Sequence, residues 1–154
     1  MKIFLLLTTL FLCIIGNVVG AQGIKHSFLA CGQTTYIMGA DGEPSWTHPA
    51  ATRDGYVLDD GEIILTLSKS KRFRGGAVVS VAPNGKETLI WKGTQSEVNS
   101  AQSTADGTFV ITEAGNNPRL LEVSAAGEVM IEFPLACQTQ NHPMQTRMAR
   151  KLSD

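Results

Sequence analysis

The side chains best suited to chemistry lie in two matching stretches. His48, Pro49, Thr52, Arg53, Leu58 and Asp60 recur as His142, Pro143, Thr146, Arg147, Leu152 and Asp154, every pair 94 residues apart. Imidazole serves as acid, base or metal ligand near neutral pH, and guanidinium is a fixed cation that clamps carboxylate, sulfate or phosphate. His48 and His142 are therefore the candidate catalytic groups. Arg53 and Arg147, with Glu97, Asn99 and Gln102 from the stretch between the copies, are candidates for binding an anionic or polyhydroxylated ligand. Two histidines are too few for a zinc site, so no metal is expected. The same residues have a purely architectural reading, in which His-Pro shapes a turn and the arginine ties neighbouring units through buried carboxylates. A second charged stretch, Lys69 to Gly76 (KSKRFRGG), puts four cations around Phe73. It reads as a solvated loop or as a contact for a sulfated or carboxylated glycan or an acidic protein partner. No GxSxG, HExxH, Walker A or EF-hand pattern is present.

The elements that must hold these residues follow from an internal repeat. Tyr36 and Met38 precede Asp41-Gly42, Val79 and Val81 precede Asn84-Gly85, and Leu121 and Val123 precede Ala126-Gly127. In each segment the two apolar residues stand five and three positions before the turn residue, on one face of a strand of period two. An aromatic residue follows each turn, and Trp46, Trp91 and Phe133 are expected at equivalent places. A second set of turns recurs out of phase at Asp60-Gly61, Asp106-Gly107 and Asp154. Apolar strands follow the first two of these turns, at Ile63 to Leu67 and Phe109 to Thr112, and Phe28 to Cys31 fits the same slot. A full unit then has four antiparallel strands, a to d, with tight Asp/Asn-Gly hairpins joining a to b and c to d.

Four-stranded units repeated every 40 to 50 residues predict β-propeller blades. The units fall near 26–48, 52–93 and 98–135, with the start of another at 142–154. The first lacks strand a and the last stops in it, so about three blades of a longer ring are expected, in a truncated chain. In such a meander the tight turns share one rim. The longer b to c and d to a connections, which carry the His, Arg, Glu, Asn and Gln candidates, share the other.

Composition narrows the function class. The chain has 154 residues, 43% hydrophobic and 18% charged, which fits one folded domain. With 13 Lys and Arg against 14 Asp and Glu, the net charge is -1. That leaves no global basic field for nucleic acid. Met1 and Lys2 precede an apolar run from Ile3 to Ile15 and then Val19 and Ala21 at the -3 and -1 positions of a cleavage site. Residues 1–21 therefore read as a secretory signal, placing residues 22–154 outside the cytoplasm, secreted or periplasmic, with no membrane span after cleavage. There Cys31 and Cys137 either pair or remain small buried thiols.

Val78 to Trp91 (VVSVAPNGKETLIW) and Leu120 to Phe133 (LLEVSAAGEVMIEF) resemble blades of exported bacterial propellers of the PQQ-like and arylsulfotransferase-like superfamily. The full PQQ-type blade motif has Ala, Asp and a Thr-Gly pair before the Trp. This chain lacks the Thr, so the resemblance implies no cofactor. Arylsulfotransferase-like propellers use histidine on the funnel face, which the resemblance carries onto His48 and His142. The expected function is a ligand-binding or protein-interaction module. The alternative is an arylsulfotransferase-like or lyase-like enzyme using funnel-face His and Arg.

Overall fold

The computed structural model describes residues 26–139 and 142–152; the segment read as an export signal lies outside them. The described residues are all-β, with no helix. β1 (Phe28–Ala30), β2 (Thr35–Met38) and β3 (Pro44–His48) form a three-stranded antiparallel sheet. β4 (Thr52–Val57), β5 (Ile63–Leu67), β6 (Ala77–Val81) and β7 (Glu87–Lys92) form a second sheet in chain order. β8 (Glu97–Ser103), β9 (Phe109–Ala114), β10 (Arg119–Val123) and β11 (Val129–Pro134) form the third. None of the three sheets closes on itself.

The sheets stack in the order of the chain. β5 and β6 are buried along their whole length, because period two gives each an apolar residue on both faces. Ile63, Leu65, Val79 and Val81 pack toward the first sheet, against Leu29, Ile37 and Trp46. Ile64, Val78 and Ile90 face the other way, against Phe109, Ile111, Leu121 and Val123 of the third sheet. The five-and-three spacing before the turn residue thus marks the face that each sheet turns toward its predecessor.

The five tight hairpin turns at Gly42, Gly61, Gly85, Gly107 and Gly127 are built alike. Residues 39, 58, 82, 104 and 124 each donate an N–H to the carbonyl four residues on at 2.8–3.0 Å. Each also accepts the N–H of the glycine three residues on, at 2.8–3.1 Å. The glycines (42, 61, 85, 107 and 127) have φ between 75° and 84°. This is a type I turn followed by a left-handed bulge residue, rather than the two-residue hairpin that Asp/Asn-Gly suggests. Asp41, Asp60 and Asn84 brace it by accepting the N–H two residues later at 3.0 Å. Ala126 has no such acceptor, and Ser124 Oγ takes over, receiving the N–H groups of Ala126 and Glu128.

A Cβ on Gly85 would meet nothing within 4 Å, whereas one on Gly127 would stand 2.7 Å from the Ile90 carbonyl oxygen of the neighbouring sheet. Gly85→Ala should therefore cost only the left-handed strain of about 1 kcal/mol. Gly127→Ala should cost about twice that or more. Equal losses in denaturant titrations would refute this distinction.

The aromatic residues do not share one slot. Trp91 pairs with Val78 and Phe133 with Leu120, but the first sheet pairs His48, not Trp46, with the corresponding Thr35. Trp46 stands two residues earlier on the same face and stacks on His48, with ring centroids 5.9 Å apart. The three environments differ as well: Trp46 packs between the first two sheets, Trp91 reaches the third, and Phe133 is 60% exposed. An aromatic following a turn is a looser signal than its distance from the turn glycine. Cys31 and Cys137 are both free thiols and neither is the buried one expected: Cys31 is exposed and Cys137 half-buried.

Candidate functional site

Arg53, Glu97, Asn99, Gln102 and Arg147 lie on strands β4 and β8 and on residues 146–151, which run beside β8. β4 and β8 are edge strands of their sheets, residues 146–151 belong to no sheet, and Thr52, Val98 and Thr146 are equivalent positions in the three stretches. Each pair is joined in the same way. The third residue's side chain accepts the N–H of the fourth residue of the next strand: Ala101 to Asp54 Oδ2 at 3.4 Å, then Ala149 to Ser100 Oγ at 3.2 Å. The fifth accepts from the sixth: Ser103 N–H to the Tyr56 hydroxyl, then Lys151 N–H to Gln102 Oε1 at 2.7 Å. Gln102 is therefore part of this joint, beside the 104–107 turn and away from Arg53.

A bulge at the second position aims a different set of side chains. β4 and β8 each skip one residue in register with their partners, at Arg53 and at Asn99. Such a bulge twists the strand and re-aims the skipped residue. Arg53 Nη2 donates to Glu97 Oε2 at 2.8 Å, and Glu97 Oε1 accepts the Lys69 N–H at 2.7 Å. Glu97 is fully buried while the Arg53 side chain keeps 31% exposure, so the carboxylate works beneath the surface and the guanidinium reaches it. Asn99 is buried and donates to the Pro143 carbonyl at 2.8 Å. Arg147 is exposed and makes no ion pair or hydrogen bond among the described residues.

Arg53 and Lys69 flank an open cleft of ≈ 440 Å³ whose floor is Gly32, Gln33, Thr52 and Ser68. It lies at the ends of β1 and β5 and the start of β4, on the rim opposite the glycine turns. Two cations over one buried carboxylate leave positive charge facing water, suited to an anion.

The histidines sit elsewhere. His48 ends the outer strand of the first sheet, and its Nδ1 accepts the Ala50 N–H at 3.3 Å. That fixes the proton on Nε2, which points to Glu87 Oε2 at 3.4 Å. His142 Nδ1 likewise accepts the Met144 N–H at 3.2 Å. Both rings thus close the same local turn onto the residue two positions later; neither bonds Arg53 or Arg147 among the described residues, and His48 lines a pocket that shares Ala51, Ser68 and Lys69 with the Arg53 cleft. Of the KSKRFRGG loop, Phe73 is buried against the second sheet, and Arg72 lies over its ring at 4.6 Å while bonding Glu87 at 2.9 Å.

Two charged centres were not singled out in the sequence. Glu113, 1% exposed, accepts from Trp91 Nε1, the Thr94 N–H and hydroxyl, and Arg119, all within 2.9–3.0 Å. Burial alone would raise its pKa, but these four donors together hold it below the ordinary carboxylate value. The available signal was its slot, since Leu67 occupies the equivalent place in the second sheet. Asp54 on β4 is gripped by Arg150 Nη2 at 3.1 and 2.9 Å, from the stretch on the far side of β8. That role falls to Arg150 three residues past the repeated arginine.

No family model matches the chain, and no curated protein matches it either. Among solved structures it is similar to a protein of unknown function from Bacteroides caccae, determined at 1.35 Å, with a TM-score of 0.58 and 21% identity. The match covers 75% of this chain and 42% of that one. The likeness is one of fold, and the chain spans less than half the length of that protein.

Proposed function

We propose that the chain is an exported β-propeller segment, its three sheets serving as blades, that binds an anionic ligand at the rim formed by its innermost strands. The propeller reading is supported by the stacking of sheets in chain order and by the repeated joints between innermost strands. Membership of the PQQ-like or arylsulfotransferase-like superfamily rests on the two blade phrases alone. Export rests on the apolar leader and its Val19/Ala21 site.

The observation that carries the binding reading is the cationic cleft of Arg53 and Lys69 over the buried Glu97. Arg147, at the equivalent bulge position two strands on, adds a further cation facing solvent. A binding module is preferred to an enzyme because both histidines spend Nδ1 on a backbone N–H, leaving neither free as a base at that atom. A sulfated or carboxylated glycan, or an acidic protein segment, offers the matching charge.

Calorimetric titration of the full chain with inorganic sulfate and with sulfated and carboxylated oligosaccharides tests this reading. Lys69→Gln and Arg147→Gln together should weaken binding roughly tenfold and leave the melting temperature unchanged, since neither side chain's charge is paired among the described residues. The Lys69 N–H to Glu97 survives that substitution. Absence of saturable binding, or a double variant that binds like the parent, would refute it.

A further inference from the structure

We infer, resting on the anion-binding reading above, that the occupant of the cationic cleft is an extended acidic segment of a protein, which seats a large apolar side chain in a second compartment beside it. That compartment, of ≈ 230 Å³, lies between the end of β3 and the loop that follows β5. It shares Ala51, Ser68 and Lys69 with the cleft beside Arg53, so the two form one groove with a common wall.

The two halves differ in chemistry. At one, Arg53 and Lys69 put positive charge over the buried Glu97. At the other, Pro49, Ala50, Leu67 and Phe73 supply apolar walls, and the polar side chains among them are already engaged. Glu87 takes His48 Nε2 at 3.4 Å and Arg72 Nη1 at 2.9 Å, while His48 Nδ1 accepts the Ala50 N–H and Ser70 Oγ accepts the Phe73 N–H at 3.1 Å. The hydroxyls of a sugar ring would compete with these bonds for partners. An apolar group only displaces water. A cavity of about 150 Å³ holds a benzene ring, so this one has room for a single side chain the size of Leu or Phe.

The openness of both halves selects a protein segment over a small acid. Pockets for small ligands enclose most of the ligand's surface, whereas both compartments here stand open to solvent. A protein segment needs only its side-chain anchors seated, with its main chain outside. Alternate side chains of an extended chain share one face, so a carboxylate and an apolar residue on that face enter neighbouring compartments. Charge around the groove agrees. Lys71 and Arg74 of the same loop are exposed and make no ion pair or hydrogen bond among the described residues, which leaves their charge free to steer an acidic chain.

Two short dye-labelled peptides of alternating Asp and Ser, alike except for Leu or Ser at the central position, test this by fluorescence anisotropy with the full chain. The Leu peptide should bind about tenfold more tightly, as expected for seating one apolar side chain. The gap should close in Ala50→Leu, which narrows the apolar compartment, while inorganic sulfate binds that variant as it binds the parent. Equal affinities of the two peptides for the parent chain would overturn the inference whether or not the variant folds. A gap that persists in folded Ala50→Leu, or a sulfated oligosaccharide of equal charge that binds more tightly than the Leu peptide, would overturn it too. Sulfate binding with neither peptide bound would do so while leaving the anion reading intact. Absence of binding by sulfate and by both peptides would refute that reading and, with it, this one.

Discussion

Replacing Gly93 by alanine is expected to cost about 3 kcal/mol or more, a large share of the ~5–15 kcal/mol that holds a domain of this size together. A Cβ there would stand 2.1 Å from the Gly75 carbonyl oxygen and 2.8 Å from Val98 Cγ2. The obstacle is backbone, so no side-chain rotation relieves it. That backbone is also tied down: Gly93 N–H donates to the Gly76 carbonyl, and Val98 N–H to that of Gly75, both at 2.9 Å. The chain passes here from the second sheet to the third, and separating the strands by the missing ångström would break both bonds. Gly32→Ala is the internal control, because its Cβ would meet nothing nearer than 3.8 Å and should change stability by less than about 1 kcal/mol. Denaturant titration of the two variants decides the matter, and similar midpoints would refute the close approach.

Glu113→Gln should be comparably severe, about 3 kcal/mol at neutral pH. The substitution puts an amide N–H₂ among donors that need an acceptor, and it removes the charge that Arg119 answers at 2.9 Å. The loss should depend on pH with a definite sign. A carboxylate whose folded pKa lies below its unfolded value of 4.5 binds protons less readily when folded. Its contribution is complete above 4.5 and disappears as pH falls through the lower folded value. The gap between parent and variant should therefore be widest near neutrality and shrink in acid. A gap that stayed constant from neutral pH to below the folded pKa would assign Glu113 a role in shape alone.

How much of this could be read from the residues varied with the range of the interaction. The strands and turns were legible because period two and the turn glycines are local, so β5 begins and ends where Ile63 and Leu67 predicted. Turn type was not, since an Asp-Gly pair fits both a two-residue hairpin and a type I turn with a bulge. The exchange of Trp46 for His48 follows from spacing: His48, Trp91 and Phe133 each stand six residues past their turn glycine and fill the same slot, whereas Trp46 stands four past Gly42, so residue type was a poorer guide than distance. At the site, spacing picked out Arg53 and Glu97 separately but not the bond between them, which spans 44 residues. The repeated histidines looked like paired functional groups because sequence shows recurrence without showing what Nδ1 accepts. Glu113 and Arg150 were missed for the converse reason: their roles depend on partners contributed by neighbouring units.

The joints that link β4 to β8 and β8 to residues 146–151 bear on how such a chain can grow. Each unit offers two side-chain acceptors, at its third and fifth positions, and two backbone donors, at its fourth and sixth. The acceptors tolerate variety: Asp54 and Ser100 serve at one place, Tyr56 and Gln102 at the other. The donors are main-chain groups and so survive any substitution except proline. A gene duplication that copies one unit would thus deliver both halves of a working joint, with no compensating change required in either neighbour. Unit number could then drift by recombination while the seams stayed sound.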